Sequence, residues 1–455
     1  MQLDESIFKA YDVRGVYPTQ LNEEIAEKMG KAFAVFIKQQ VGKEEGIRVA
    51  MGRDTRLSSP QLFEAAIAGI LAQGVDVDDI GLVSADVMYF TVGHGEYDGG
   101  MMVSASHNPK EYNGFKMLSK GVKFISSVFG LPDIKALIVK DEWKECAHGT
   151  RTQKKVVDDY IDFVFSHISA TKINPLKIVV DTGNGMAGVV ARKLFARLKG
   201  EFVPLFEELD GNFPGRNPNP LTPGALDPLS TKVREVHADL GIAFDADADR
   251  LFVVDDTGAV IRNDLVLGIV AQVVLRSHAG GAVVYSLNCS HTAPETITEA
   301  GGRPVRARVG HTFIKETMKA ENAVFGGEAS GHFYFRENFY SESGFLTALV
   351  LMQYMSEQGK PLSVLAQGLD RYAYQPETNR RVEDRSAVIA RVKEKYNNGR
   401  QDETDGLVVE YDDWWFLLRQ SNTEPLVRLV VEAKTKELMQ EKVNELLDII
   451  GGEPE

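Results

Sequence analysis

The sequence is poor in cysteine: only Cys146 and Cys289 occur in 455 residues, far apart along the chain. A disulfide framework is thereby excluded, and a reducing compartment such as the cytosol is expected. Long hydrophobic runs are missing as well. The longest apolar stretch, around Phe345 to Met352, falls far short of the roughly 20 residues that a membrane helix needs. Residues Met1 to Ser6 carry neither the basic nor the apolar region of a signal peptide, so a soluble, cytoplasmic protein is expected. Positive charge is in deficit, with 51 Lys and Arg against 65 Asp and Glu and a net charge of −14. That balance argues against nucleic acid or an anionic membrane as partner. An anionic substrate would have to be held by a local cationic pocket.

Composition is otherwise that of a globular protein, with 44% apolar and 25% charged residues. The length suggests about three or four domains. One unit, strand–turn–helix–glycine–strand, recurs three times. Its first copy begins at the strand Ile47 to Met51 and continues into a helix opened by Ser59 as N-cap and Pro60 at the first helical position, with Gly74 as its stop. The second has a strand at Ile178 to Asp181, a helix running through Leu198, Gly200, and a strand at Phe202 to Leu205. The third has a strand at Ala282 to Tyr285, a turn at Asn288, a helix near Glu295 to Ala300, and a strand from Pro304 to Val309. Apolar strands separated by helices imply parallel pairing, hence three related α/β domains. The tail differs: strands at Leu407 to Tyr411, Trp414 to Leu418 and Leu426 to Val431 precede a helix over Lys434 to Ile450, a smaller α+β domain. The expected divisions are 1–153, 154–256, 257–370 and 371–455.

Asp245, Asp247 and Asp249 alternate with alanines and run into Arg250, between the apolar stretches Gly241 to Phe244 and Leu251 to Val254. Three carboxylates this close repel one another and need a counter-charge. A turn at a strand end would converge them on one point, and hard oxygen donors suit Mg²⁺. The competing reading is an acidic solvated turn, which the buried-strand flanks disfavour. Arg250 adds a fixed fork for phosphate or carboxylate.

The second signal is Val103 to Pro109, which contains Ser106 and His107, followed by Lys116. The Asn108–Pro109 pair forces a turn at a strand end. Alone, Ser106 is as well read as a turn-stabilising hydroxyl. A lysine beyond the turn could fold back to assist its deprotonation, and no order favouring an acyl-transfer triad is visible. Serine, lysine, metal site and arginine together suggest phosphoryl transfer. Gly326 to His332 places Glu328, Ser330 and His332 in a glycine-rich turn suited to sugar hydroxyls. Arg419 to Thr423 offers a guanidinium, the hydroxyls of Ser421 and Thr423, and the amide of Asn422, a set that matches phosphate recognition. Each of these loops, taken alone, could be a polar turn.

With these motifs in order along the whole chain, the sequence resembles the α-D-phosphohexomutase superfamily, specifically its phosphomannomutase/phosphoglucomutase branch. The stretch Ile7 to Gly15 is similar to the family's N-terminal signature, whose Tyr11 and Arg14 reach the active site. The resemblance implies four domains around a central cleft, three of them α/β with mixed or parallel sheets. It implies that Ser106 is the phosphorylated residue and that Ser106, Asp245, Asp247 and Asp249 hold Mg²⁺. A hexose 1,6-bisphosphate, of glucose or mannose, is implied as intermediate and activator. Lys116, His311 and His332 are the candidates for proton transfer, with His107 and Arg250 also counted in the catalytic set. Glu328, Ser330 and His332 would hold sugar hydroxyls, and Arg419, Ser421, Asn422 and Thr423 phosphate in either orientation. The partners expected are small sugar phosphates, not nucleic acid or membrane, with the chain a monomer or weak homo-oligomer.

The chain departs from the family at three points. Ala246 and Ala248 stand where many members carry glycine, so a positive φ at the first spacer would be strained. Asn288 replaces a substrate-contacting lysine of some phosphomannomutases. Glu328-Ala329-Ser330 differs from the corresponding loop of phosphoglucosamine mutases and favours mannose and glucose phosphates. A phosphoglucosamine mutase, a phosphoserine-using phosphatase and a non-catalytic sugar-phosphate sensor are the alternative readings.

Overall fold

The computed structural model describes residues 3–421 and 426–454. It divides into two compact units: 1–266 with 330–365, and 267–329 with 366–455.

The first unit contains two copies of the predicted repeat, each with the same pairing. Strand Arg48–Arg53 lies between Gly99–Val103 and Asp76–Leu82 and is parallel to both. Strand Leu176–Asp181 lies between Leu240–Phe244 and Gly200–Leu205, again parallel to both. The third copy is in the second unit, where Ala282–Ser286 lies between Phe325–Gly327 and Arg303–Ala307 with the same sense. In every copy the first strand of the unit becomes the middle one. Its side chains are covered on both faces, which is why it reads as a continuous apolar run.

The first two sheets are each extended by an antiparallel neighbour beside a site motif. Tyr112–Ser119 pairs antiparallel with Gly99–Val103, so the intervening 104–111 loop projects from the end of the first sheet. Leu251–Asp255 pairs antiparallel with Leu240–Phe244, which turns the acidic motif into a hairpin tip. Two helices cover the first sheet, Glu23–Val41 and Ser59–Ala72. They approach closely because Gly30 and Gly69 face each other's backbone: a Cβ at Gly30 would lie 2.9 Å from the Ala66 carbonyl carbon. Phe33, Phe36, Ile37, Leu62, Phe63 and Ile70 fill the layer below, each worth about 1.5–3 kcal/mol when fully buried.

Three local expectations are corrected. Ser59 is not the N-cap of its helix: Ser58 holds that place, and the Ser59 hydroxyl instead donates to Asp54 Oδ1 at 2.5 Å, a buried carboxylate that outcompetes the helix amides. The second repeat's helix is Ala187–Phe195 and stops before Leu198, because Arg197 and Leu198 donate three residues back, tightening the last turn. The strand expected to reach Val309 ends at Ala307; Val309 N–H is taken by Asp405 Oδ2 at 2.9 Å.

The C-terminal part of the second unit is a six-stranded sheet backed by helices Arg385–Lys395 and Lys436–Ile450. It includes three strands the sequence did not signal, the short Arg400–Asp402 and Glu453–Pro454 and the longer Ala373–Arg381. Pro376 in its middle removes a ladder donor, and the register shifts between Gln375 and Thr378 as a bulge around it. Among the described residues no helix is long and apolar enough to cross a membrane, and Cys146 and Cys289 are free thiols.

Candidate active site

In the first unit the two hairpin-forming motifs meet. Ser106 is buried with φ 49°, a left-handed conformation that costs a non-glycine residue about 1–2 kcal/mol. Its Oγ lies 3.3 Å from Asp245 Oδ2 and 3.2 Å from His107 Nδ1. Its amide donates to Ser104 Oγ at 3.0 Å, and Ser104 Oγ in turn lies 3.4 Å from Asp247 Oδ2. Burial, then Arg250 and Arg14, hold the His107 imidazole well below its ordinary pKa and favour the neutral ring.

Asp245, Asp247 and Asp249 are all buried, and two cations and an imidazole answer them. Lys116 Nζ lies 2.5 Å from Asp247 Oδ2 and 2.5 Å from Asp249 Oδ2. Arg250 Nε donates to Asp245 Oδ2 at 2.8 Å, and His332 Nε2 lies 3.5 Å from Asp249 Oδ1. Burial and the neighbouring Asp249 push the Asp247 carboxyl up. Burial opposes ionisation of Asp249 too, but Lys116 and His332 outweigh it and hold that carboxyl well below its usual range. The same pair of carboxylates outweighs the burial of Lys116 and keeps its ammonium protonated far above the ordinary lysine range.

The donor set fits a hard divalent cation. Asp247 Oδ1 is buried and accepts no hydrogen bond among the described residues, and the ligand oxygens of Asp245, Asp247 and Asp249 lie within 4.8 Å of one another. Oxygen-only donors at that spacing suit Mg²⁺ better than a softer metal. The alanine spacers behave differently from expectation: Ala246 has no positive φ, and it is Ala248, the second spacer, that sits at φ 63°.

Arg14 also reaches the serine loop. Its Nε and Nη2 are held by Asp12, while Nη1 donates to the Ala105 carbonyl at 3.4 Å and to Asn108 Oδ1. Tyr11 is half-buried just before the strand Val13–Val16. Ser330 and His332 belong to this unit, with Ser330 Oγ 3.0 Å from His332 Nδ1.

The second unit holds Glu328, His311, Arg419 and Ser421. Glu328 Oε2 accepts from the Gly310 amide at 3.2 Å, and His311 opens the helix His311–Ala320 next to it. Arg419 is not displayed in a loop but lies in the strand Trp414–Gln420, buried and paired with Glu377. Burial would raise the Glu377 carboxyl, yet Arg419 and Arg428 hold it below its ordinary value. Ser421 Oγ lies 3.4 Å from Arg428 Nη2, and Asn288 Nδ2 lies 3.5 Å from Glu377 Oε1. Asn422 and Thr423 lie outside the described residues.

Sequence reasoning missed several of these partners. Glu342 is buried with its carboxylate near Asp249 and His332, and Glu377 and Arg428 flank Arg419. Arg56 and Asp54 underlie the serine loop; their spacing just past a strand end, Asp54-Thr-Arg56, was the available signal.

Four family models, together described as phosphoglucomutase/phosphomannomutase, match in succession. They are α/β/α domain I over residues 5–144, domain II over 158–258, domain III over 262–372, and the C-terminal domain over 377–449. A protein named "Phosphohexose mutases" from Xanthomonas campestris pv. campestris is 40% identical over 453 residues, covering 98% of this chain and 99% of the relative. A phosphomannomutase of Salmonella montevideo is 39% identical, covering 97% and 98%. Among solved structures, a phosphoglucomutase/phosphomannomutase family protein from Burkholderia thailandensis superposes with a TM-score of 0.90 at 34% identity, covering all of both chains.

Proposed function

Because this chain belongs to the phosphoglucomutase/phosphomannomutase family, a family of phosphohexomutases, we propose that it interconverts the 1- and 6-phosphates of mannose, glucose or both through a phosphorylated Ser106. The observation that carries this reading is the Ser106 hydroxyl 3.3 Å from Asp245, in a strained loop beside a carboxylate cluster whose orphaned oxygen fits a hard cation.

In the first half-reaction the bond from Ser106 Oγ to phosphorus breaks and one from a sugar hydroxyl oxygen to phosphorus forms. The hydroxyl proton passes to a base, for which Lys116, His311 and His332 are the candidates, and Ser106 Oγ takes up a proton as it leaves. The product is a hexose 1,6-bisphosphate. In the second half-reaction Ser106 Oγ gives up its proton and bonds the other phosphorus, the bond from that phosphorus to its sugar oxygen breaks, and the sugar oxygen takes up a proton. Asp245, Asp247 and Asp249 would hold Mg²⁺, which when bound withdraws charge from the phosphoryl oxygens. Lys116 is protonated against Asp247 and Asp249 in this arrangement, so it serves as base only after that pairing is relieved. His332 is placed by Ser330 on one nitrogen and faces Asp249 with the other.

Glu328 and Ser330 would hold sugar hydroxyls, and Arg419, Ser421, Asn422 and Thr423 the phosphate that is not reacting. Arg14 holds the serine loop and Tyr11 would reach the site beside it, with His107 neutral and Arg250 countering Asp245. A trace of glucose or mannose 1,6-bisphosphate would act as activator by phosphorylating Ser106. We place the enzyme in the cytoplasm as a monomer or weak homo-oligomer with small sugar phosphates as its partners, and its domain divisions near 153, 256 and 370.

The test is ³¹P NMR of the protein with Mg²⁺, a trace of glucose 1,6-bisphosphate and, separately, the 1-phosphates of mannose, glucose and glucosamine. Conversion of the mannose or glucose ester to its 6-phosphate is expected. Conversion of the glucosamine ester alone, or release of orthophosphate, would overturn the reading.

A further inference from the structure

Arg56 has no solvent exposure, and every N–H of its guanidinium is used. Nε donates to Asp54 Oδ2 at 3.1 Å. Nη1 donates to the carbonyls of Pro109 at 2.7 Å and Tyr112 at 3.0 Å. Nη2 donates to the carbonyls of Ser106 at 2.7 Å and Asn108 at 2.6 Å. Four of the five acceptors are therefore backbone oxygens, three in the loop that carries Ser106 and the fourth on Tyr112, the first residue of the strand that leaves it.

The anchor behind this fork is itself fixed. Asp54 accepts from the Arg56 amide at 3.0 Å and from Ser59 Oγ at 2.5 Å, and the Asp54 amide donates to Val103 at the end of the adjoining strand. Asn113, on the strand that leaves the loop, donates to Ser58 and Ser59 at 2.8 and 3.0 Å. The strand entering the serine loop and the strand leaving it are thus both tied to the Asp54–Arg56 pair.

Burying a guanidinium is unfavourable unless its donors are all satisfied, and an apolar core residue would usually do as well for stability alone. What an apolar residue cannot do is orient four carbonyls. The Ser106 carbonyl is the informative one, because Ser106 is at φ 49°, a conformation it would leave if its peptide group were released.

We propose that Arg56 is the positioning residue of the serine loop: by binding the carbonyls of Ser106, Asn108, Pro109 and Tyr112 it holds Ser106 in its left-handed conformation and presents Oγ for phosphoryl transfer in both half-reactions. This inference rests on the reading of Ser106 as the phosphoryl carrier. Arg56 touches neither substrate nor phosphate. It acts through the backbone, and its effect falls on the step in which Oγ regains a phosphoryl group, when no Oγ–phosphorus bond is present to help hold the loop.

The experiment compares wild type with Arg56→Lys and Asp54→Asn. Lysine keeps the positive charge beside Asp54 but cannot span four carbonyls. Ser106 phosphorylation by glucose 1,6-bisphosphate is followed by intact mass, alongside kcat and KM for the hexose 1-phosphate. Arg56→Lys is expected to slow phosphorylation and lower kcat by about 10–100-fold with KM within about twofold, since a displacement near 1 Å at a reacting group costs rate rather than binding. The concentration of bisphosphate needed for full activity rises in step, because the intermediate escapes before Ser106 recaptures a phosphoryl group. Asp54→Asn leaves the carbonyl bonds and loosens only their anchor, so its loss is in the same direction and smaller. It carries the test should Arg56→Lys not fold. A wild-type phosphorylation rate in a folded Arg56→Lys protein, or in Asp54→Asn where that variant carries the test, would overturn the inference. So would a loss confined to Tm. Failure of the underlying reading looks different: wild type would then gain no phosphate at Ser106, and Ser106→Ala would stay active.

Discussion

Glu377 Oε1 accepts two hydrogen bonds from Arg419, 2.6 Å from Nη2 and 3.1 Å from Nε. The arginine proposed to bind phosphate is thus oriented by an internal carboxylate, whose Oε2 also holds Arg428 at 3.1 Å. Arg419→Ala should raise KM about tenfold or more, the worth of one charge-assisted contact, and should also cost about 2 kcal/mol of stability by removing one of the two arginines that hold Glu377. The double variant Glu377→Gln/Arg419→Ala separates the two effects. Denaturant unfolding should show most of the stability restored, while steady-state kinetics should show KM still high. A KM that recovers with stability would place phosphate elsewhere.

Ser106 combines a chemical role with backbone strain, and two substitutions resolve them. Ser106→Ala should lower turnover about a thousandfold or more while leaving the strain in place. Ser106→Gly should be equally inactive but more stable than the alanine variant by about 1 kcal/mol, because glycine meets no Cβ penalty at φ 49°. Activity by coupled assay and stability by urea titration check both. An inactive pair of equal stability would mean that the left-handed conformation is not maintained in solution.

Asp86 is fully buried, and burial pushes its carboxyl up to about 7 despite hydrogen bonds from Ser84, from Tyr160 at 2.6 Å and from the Val87 amide at 2.9 Å. A raised carboxyl means that folding favours the protonated form. The contribution is fully present below the unfolded value near 3.8 and is lost as pH rises through about 7. Between pH 5 and pH 8 this group alone removes about 3 kcal/mol of stability. Asp86→Asn keeps the size and cannot ionise, so its stability should fall less over that range by about that amount. Parallel pH profiles for the two proteins would show that Asp86 ionises normally.

The three repeats, the acidic hairpin and the serine loop were legible because each depends on residues close in sequence. Apolar strands, glycines and the spacing of Asp245, Asp247 and Asp249 are local signals, whereas the antiparallel pairing of the strands that flank the two motifs is a finding of the structure. Arg56, Glu342, Glu377 and Asp86 were not legible. Arg56 lies 50 residues from Ser106 and is wholly buried, whereas arginine is ordinarily a surface residue, so the Asp54-Thr-Arg56 spacing past a strand end marks the pair without announcing what it holds. Glu377 was hidden in a strand interrupted by Pro376, which reads as a linker until the bulge accommodates it. Arg419 was recognised by type, but its burial against Glu377 was not, since ion pairs 42 residues apart leave no periodic trace.

Lys116 bridges Asp247 and Asp249 at 2.5 Å each, occupying the electrostatic place of a cation in a cluster of three buried carboxylates. A divalent ion that binds these oxygens must share them with the ammonium, so Lys116 both stabilises the metal-free protein and weakens metal binding. Lys116→Gln removes the charge with little change of reach. Without metal, it should destabilise the protein by about 3 kcal/mol, since two buried carboxylates lose their common partner. With saturating Mg²⁺ the deficit should shrink, because an affinity gain of about tenfold adds about 1.4 kcal/mol to the folded state. Thermal scans in EDTA and in Mg²⁺ should therefore show a larger metal-induced rise in Tm for Lys116→Gln than for wild type, and Asp247→Asn should show a smaller one. Turnover of Lys116→Gln should still fall, as a proton-transfer candidate is lost, so tighter metal binding and lower activity would appear in one variant. An unchanged or smaller metal response in Lys116→Gln would mean that the ammonium and the ion do not compete for the same oxygens.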